Sequence, residues 1–262
     1  MSAIRKFVST AKIEANSSAG EDALFLVRFV FRILRVVVLL SVWRTIFGAK
    51  PHVLEQPMAA ILTYTLIAEV FAEQLSPRTG IEWHLFDGGI AMNYLQPMGL
   101  ALQFTARMVG RWVLGLAFVS LPLLLLAPML GVNVLPANTS ALFLFLISLL
   151  LSALVGVALD FVFAALIVFM QGSAYITGLV RVALAALLSG AVLPLSVLPY
   201  GLGDIFQWLP FASTASAPLR IYTGDGEPIV LMAVQMIWAV LLWLLANWLW
   251  RVNRERFVSY GG

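Results

Sequence analysis

Glu69 and Glu73 stand four residues apart, so a helix would carry both carboxylates on one face. Such a pair can serve as general acid and base. Here no histidine or nucleophile lies near enough in sequence to complete a catalytic cluster. The two histidines, His52 and His84, fall beyond opposite ends of one long apolar run, and the chain has no cysteine. They cannot share a metal ion, and thiolate sites and disulfides are excluded. The three lysines, Lys6, Lys12 and Lys50, do not follow glycine, so no G-x-x-x-x-G-K-[ST] phosphate loop exists. A G-x-S-x-G nucleophile elbow is also missing. Asn138-Thr139-Ser140 matches a glycosylation sequon, a motif too short to carry weight. What remains is charge inside apolar sequence: Arg28, Arg32 and Arg35 in one run, Glu69 and Glu73 in the next, and Asp160 later.

The elements around those charges are set by composition. Hydrophobic residues make up 61% of 262, charged residues 11%, and the mean hydropathy is +0.96. A helix needs roughly 20 apolar residues to cross about 30 Å of hydrocarbon, and lipid leaves the backbone no outside hydrogen-bond partners. The apolar runs are continuous rather than alternating, which favours helices over a barrel. Six spans are predicted, at residues 24–47, 57–75, 109–130, 141–170, 175–198 and 229–250. This is an all-α membrane protein, read as one transmembrane domain over residues 1–262 with no room for a soluble catalytic domain. Residues 1–23 form a basic segment, either a surface helix carrying Ile4, Phe7, Val8 and Ala11 or a loose tail. It is not a cleavable signal sequence, because the apolar run starts late and is interrupted by arginine.

Placing the N-terminus in the cytoplasm puts 13 of the 16 lysines and arginines on inner ends and only Arg44, Lys50 and Arg220 outside. Both termini are then cytoplasmic. The same bias explains the pI of 9.4 without nucleic acid as a partner. Arg28, Arg32 and Arg35 share a face and sit at the inner end of span one, at the depth of Glu69 and Glu73 in span two. These two columns are expected to pair and tie the helices together; a proton or substrate path and simple snorkelling are the alternatives. Asp160 is expected to reach the inner interface. Ser152 with Gly156, and Ala186 with Gly190, are small-x-x-x-small pairs that predict close helix contacts, within one chain or between two.

Several stretches in order resemble the ABC-2 type permeases, the membrane subunits of bacterial ABC exporters, in the group ending in Gly-Gly. They are LTYTLIAEVFAEQLSP (62–77), FDGGIAMNYLQPM (86–98), SGAVLPLSVLPYGLGDIFQWLPF (189–211), APLRIYTG (217–224) and the closing FVSYGG (257–262). The resemblance implies an exporter-type fold with a cytoplasmic connector at 76–99 and an outer segment at 199–228 that dips back toward the membrane. In such proteins the connector holds a coupling helix, here about 81–97, with Glu82, Trp83, His84, Phe86, Asp87 and Gly88 as the residues that would meet an ATPase. An ordinary interfacial loop is the plainer reading of that stretch.

The resemblance further implies two copies of a separate ATPase subunit, holding ATP and Mg, and a second permease, identical or related. Cofactors, metal sites and catalytic residues are expected to be absent from this chain. The expected setting is the bacterial inner membrane, surrounded by lipid. The expected function is export of a hydrophobic or amphipathic substrate; the alternatives are a non-transporting scaffold, a channel, or a lipid-modifying membrane enzyme.

Overall fold

A computed structural model describes residues 3–21, 25–49, 56–170 and 173–253. Lys50, His52, Gln171-Gly172, Arg254, Arg256 and the closing 257–262 lie outside the described residues. Among the described residues every regular element is helical. The long helices are α1 (Ala3–Glu21), α2 (Phe25–Ala49) and α3 (Met58–Val70), the last followed by a single turn, α4 (Ala72–Leu75). The connector contributes α5 (Ile81–Phe86) and α6 (Ile90–Tyr94). Next comes a continuous helical stretch, Leu100–Leu130. It consists of α7 (Leu100–Gly115), a π-type turn (Leu116–Ser120), α8 (Leu121–Leu126) and a 3-10 turn. The rest is α9 (Thr139–Phe169), α10 (Ala174–Leu188), α11 (Leu202–Phe206), α12 (Ser216–Thr223) and α13 (Pro228–Val252).

Helix α9 is the axis of the molecule. Asn138 starts it, its side chain accepting from Ala141 N at 2.7 Å. At 31 residues it is about 46 Å long, more than a bilayer core requires. α13, α12, α10, α4, α5 and α7 all pack on it. Its inner half, from Val155 to Val168, is buried with Phe104 and Met108 of α7 and Leu242 and Leu249 of α13. A second cluster joins α2 (Val36, Leu40, Trp43, Phe47) to α3 and Leu123 of α8. Trp43 is buried in that seam.

Among the described residues three helical stretches are long and apolar enough to cross a membrane: Leu100–Leu130, Thr139–Phe169 and Pro228–Val252. α2 has 25 residues but carries Arg28, Arg32, Arg35 and Arg44, and α3 and α10 are shorter. Two boundaries differ from the sequence expectation. The third stretch begins at Leu100 rather than near 109, because Arg107 and Arg111 are accommodated on a helix face turned to the connector and α1. The fifth does not run to 198. α10 stops at Leu188, where Gly190 takes φ +77° and Pro194 follows. Non-helical backbone at that depth is tolerable only when protein supplies its hydrogen bonds. Here Tyr64 Oη donates to Gly190 O at 2.9 Å, and Ser216 N donates to Ser189 O at 2.8 Å.

The 199–228 segment folds inward at α12. Ser216, Ala217, Pro218, Leu219, Ile221 and Tyr222 are buried against α3, α9 and α13. Its outer lip is closed by Arg220 with Asp225 at 2.9 Å, and by Gln56 donating to Asp225 at 2.9 Å. Residues 3–21, left open between helix and tail, form a helix laid on α7. The backbones approach so closely that a Cβ on Gly110 would strike the Ala11 carbonyl.

Candidate functional site: the connector and its anchor

The connector begins at Pro77, packed flat on α9. A Cβ at Gly156 would lie 2.6 Å from Pro77 Cγ, so only glycine lets the two meet. One turn earlier, Ser152 Oγ donates to Thr214 O at 2.5 Å. The Ser152/Gly156 pair thus receives two non-helical segments of its own chain.

Around Pro77 lies a buried ion pair that joins α9 to α10. Asp160 Oδ1 is 2.5 Å from Arg181 Nε, and both side chains are almost fully enclosed. The second carboxylate oxygen accepts from Thr79 N at 2.5 Å, and Arg181 Nη2 donates to Pro77 O at 2.8 Å. A charge in this setting is tolerated only with a close partner and hydrogen bonds to its remaining atoms. One pair therefore grips residues 77–79 from two helices at once. Arg111 of α7 adds a third hold. Its Nη2 donates to Thr79 O at 3.1 Å, while Nη1 reaches Glu14 of α1 at 3.0 Å.

The expected single coupling helix over 81–97 is two helices. Asp87-Gly88-Gly89 interrupts it, since Gly88 takes φ +74° and Asp87 Oδ1 accepts from Gly89 N at 2.9 Å. The far end is pinned to α7 as well. Arg107 donates to Asn93 Oδ1 at 2.9 Å and to His84 Nε2 at 3.0 Å, which leaves Nδ1 of His84 to donate to Gly80 O at 3.4 Å. Gln103 donates to Asn93 O at 2.9 Å, and Lys6 of α1 donates to Pro97 O at 2.8 Å.

The six residues picked from sequence for docking therefore divide. Glu82 pairs with Arg78 at 2.6 Å and is mostly covered, and His84 is turned to Arg107. Gly88 shapes the turn. Trp83, Phe86 and Asp87 are presented outward, with Trp83 edge-to-face on Phe86 at 6.2 Å. Met92 and Tyr94 of α6 and the following Leu95 extend this exposed apolar surface and were not singled out from sequence. Also missed was the partnership of Asp160 with Arg181. Its signal was two opposite charges on either side of the break between two consecutive apolar runs.

The arginine and glutamate columns meet at Glu69. Arg35 Nε lies 3.0 Å from Glu69 Oε1, and Arg32 Nε lies 3.9 Å from Oε2. Arg32 Nη1 also donates to Glu69 O at 2.7 Å. Arg28 is exposed one turn away on α2. Glu73 lies past the break at Phe71, where φ is −102° and ψ 23°, and its carboxylate is against Gly115 of α7. Glu69 and Glu73 therefore do not stand on one continuous helix, and Glu69 serves α2 while Glu73 meets α7. Among the described residues no group of three or more His, Asp or Glu could hold a metal ion.

The sequence matches the family described as ABC-2 family transporter protein over residues 29–261. The chain belongs to this family. A comparison with curated proteins finds no significant match. As an ABC-2 family member the chain is a multi-pass membrane component of an ABC transporter, and the family implies association with an ABC ATPase. The matched region covers Arg32 and Arg35 of α2, the connector and α12 alike, and begins one residue after Arg28.

Proposed function

We propose that this ABC-2 family protein is the permease subunit of an exporter that moves a hydrophobic or amphipathic substrate out of a bacterial cytoplasm. In this reading six crossings, by α2, α3–α4, Leu100–Leu130, α9, α10 with the segment after it, and α13, leave both termini inside. Two ATPase subunits, holding ATP and Mg, dock on the connector, and a second permease completes the path. The observation that carries the reading is the mounting of the connector. Trp83 and Phe86 are exposed, whereas residues 77–79 are locked to α9 and α10 by Asp160 and Arg181 and to α7 by Arg111. A push on the exposed aromatics is delivered to three spans without slack. The connector thus behaves as a rigid lever rather than a loose loop.

The test is co-expression with the ATPase subunit, purification of the complex, and measurement of nucleotide hydrolysis. A Trp83→Ala, Phe86→Ala double variant should lower permease-dependent hydrolysis or ATPase retention about tenfold or more, since exposed aromatics are typical anchors of an interface. Unchanged retention and hydrolysis in that variant would remove the connector from the coupling path. Hydrolysis by the purified chain alone would refute the permease reading itself.

A further inference from the structure

Between α5 and α10 there is a partly open pocket of about 120 Å³, lined by Arg78, Glu82, Trp83, Tyr175, Gly178, Leu179 and Val182. The connector's anchoring bonds leave its chemistry unused. Arg78 donates Nη2 to Glu82 at 2.6 Å, and its Nε and Nη1 make no further bond among the described residues. The Trp83 indole and the Tyr175 phenol add two donors and two aromatic faces, and both rings are more than half exposed. Below them the exposed Leu179 and Val182 continue as an apolar strip along α10. Gly178 holds the pocket open, since a Cβ there would find only Glu82 Cγ, at 4.0 Å.

We propose that this pocket binds the headgroup of a zwitterionic phospholipid, a phosphate joined to an ammonium, with the acyl chains lying along α10. The charge balance selects the zwitterion. Arg78 is matched by Glu82, and Arg181 nearby is matched by Asp160, so the neighbourhood carries no net charge to hold an anion. A phosphate beside Arg78, Trp83 and Tyr175 and an ammonium beside Glu82 complete the pair as a second, antiparallel dipole. The two aromatic faces favour the ammonium further by cation–π attraction. With the connector at the membrane surface, the tyrosine and tryptophan would fall where aromatic side chains collect at a membrane–water interface. Such a lipid would wedge the outward-facing helix of the connector against α10. The inference rests on membrane placement and not on transport.

The test uses the full-length chain, purified and delipidated, then placed in nanodiscs of phosphatidylethanolamine or phosphatidylglycerol with identical acyl chains. A lipid that binds the folded state alone raises its melting temperature. The expected gain in phosphatidylethanolamine over phosphatidylglycerol is about 3–6 °C. Gly178→Leu, which fills the pocket, and Tyr175→Ala, at an exposed first turn, should each lose that gain and melt like the wild-type chain in phosphatidylglycerol. Soluble glycerophosphoethanolamine at millimolar concentration should give no shift. Equal melting in the two lipids, a full gain retained in both variants, or an equal shift from the soluble headgroup would overturn the proposal.

Discussion

At the residue scale, a carboxylate and a guanidinium share one enclosed site with almost no water to support either alone. Asp160 has two jobs, holding Arg181 and accepting the Thr79 amide. Removing one partner leaves the other buried and uncompensated, a loss of about 3–5 kcal/mol. Asp160→Leu and Arg181→Met should each lower the melting temperature or yield of the purified chain sharply. The double variant Asp160→Leu, Arg181→Met should be less damaging than the two single losses summed, because no charge is left stranded. Additive losses would mean that the two side chains do not act as a pair. Glu69 gives a second case at this scale. Glu69→Arg would face Arg32 and Arg35 directly, so insertion and folded yield should fall severalfold, whereas Glu69→Gln should be milder. The i, i+4 spacing in sequence placed Glu69 and Glu73 on one face. The turn at Phe71 moved Glu73 away, and nothing in the residue pattern marks that turn.

At the element scale, the connector is held more firmly than its mixed composition suggests. Its first residues rest on Gly156, where α9 has no side chain to separate it from Pro77. Gly156→Leu should push residues 77–79 off α9 and break the Thr79–Asp160 hydrogen bond. The expected outcome is lost coupling of nucleotide hydrolysis, with limited proteolysis showing faster cleavage in the 76–99 segment. Slow, wild-type cleavage would show that the contact is dispensable. The small-x-x-x-small pattern at Ser152 and Gly156 was visible in sequence, but its partners were not. Small residues announce a close approach and are silent on what approaches. Here the visitors are Pro77 and Thr214, both from non-helical backbone of the same chain.

At the scale of the whole molecule, the absence of cysteine allows topology to be read with single introduced thiols. Ser9→Cys in α1 and Asp87→Cys in the connector turn should react only from the cytoplasmic side. Tyr200→Cys, at a 96% exposed residue between α10 and α11, should react only from outside. Labelling of all three from one side would contradict the six-span arrangement. The amino-acid sequence alone determined the solvent and the secondary structure: continuous apolar runs have no stable home in water, and their backbones must become helices in lipid. The charge bias in its loops likewise set the expected orientation. Tertiary structure decided which charges meet, where α10 ends, and that α12 is buried against α3, α9 and α13. Those outcomes depend on contacts between residues far apart in the chain, such as Thr79 with Asp160 and Tyr64 with Gly190. Helical periodicity reports only neighbours three or four residues away, so pairings across 81 or 126 positions arise when the helices pack.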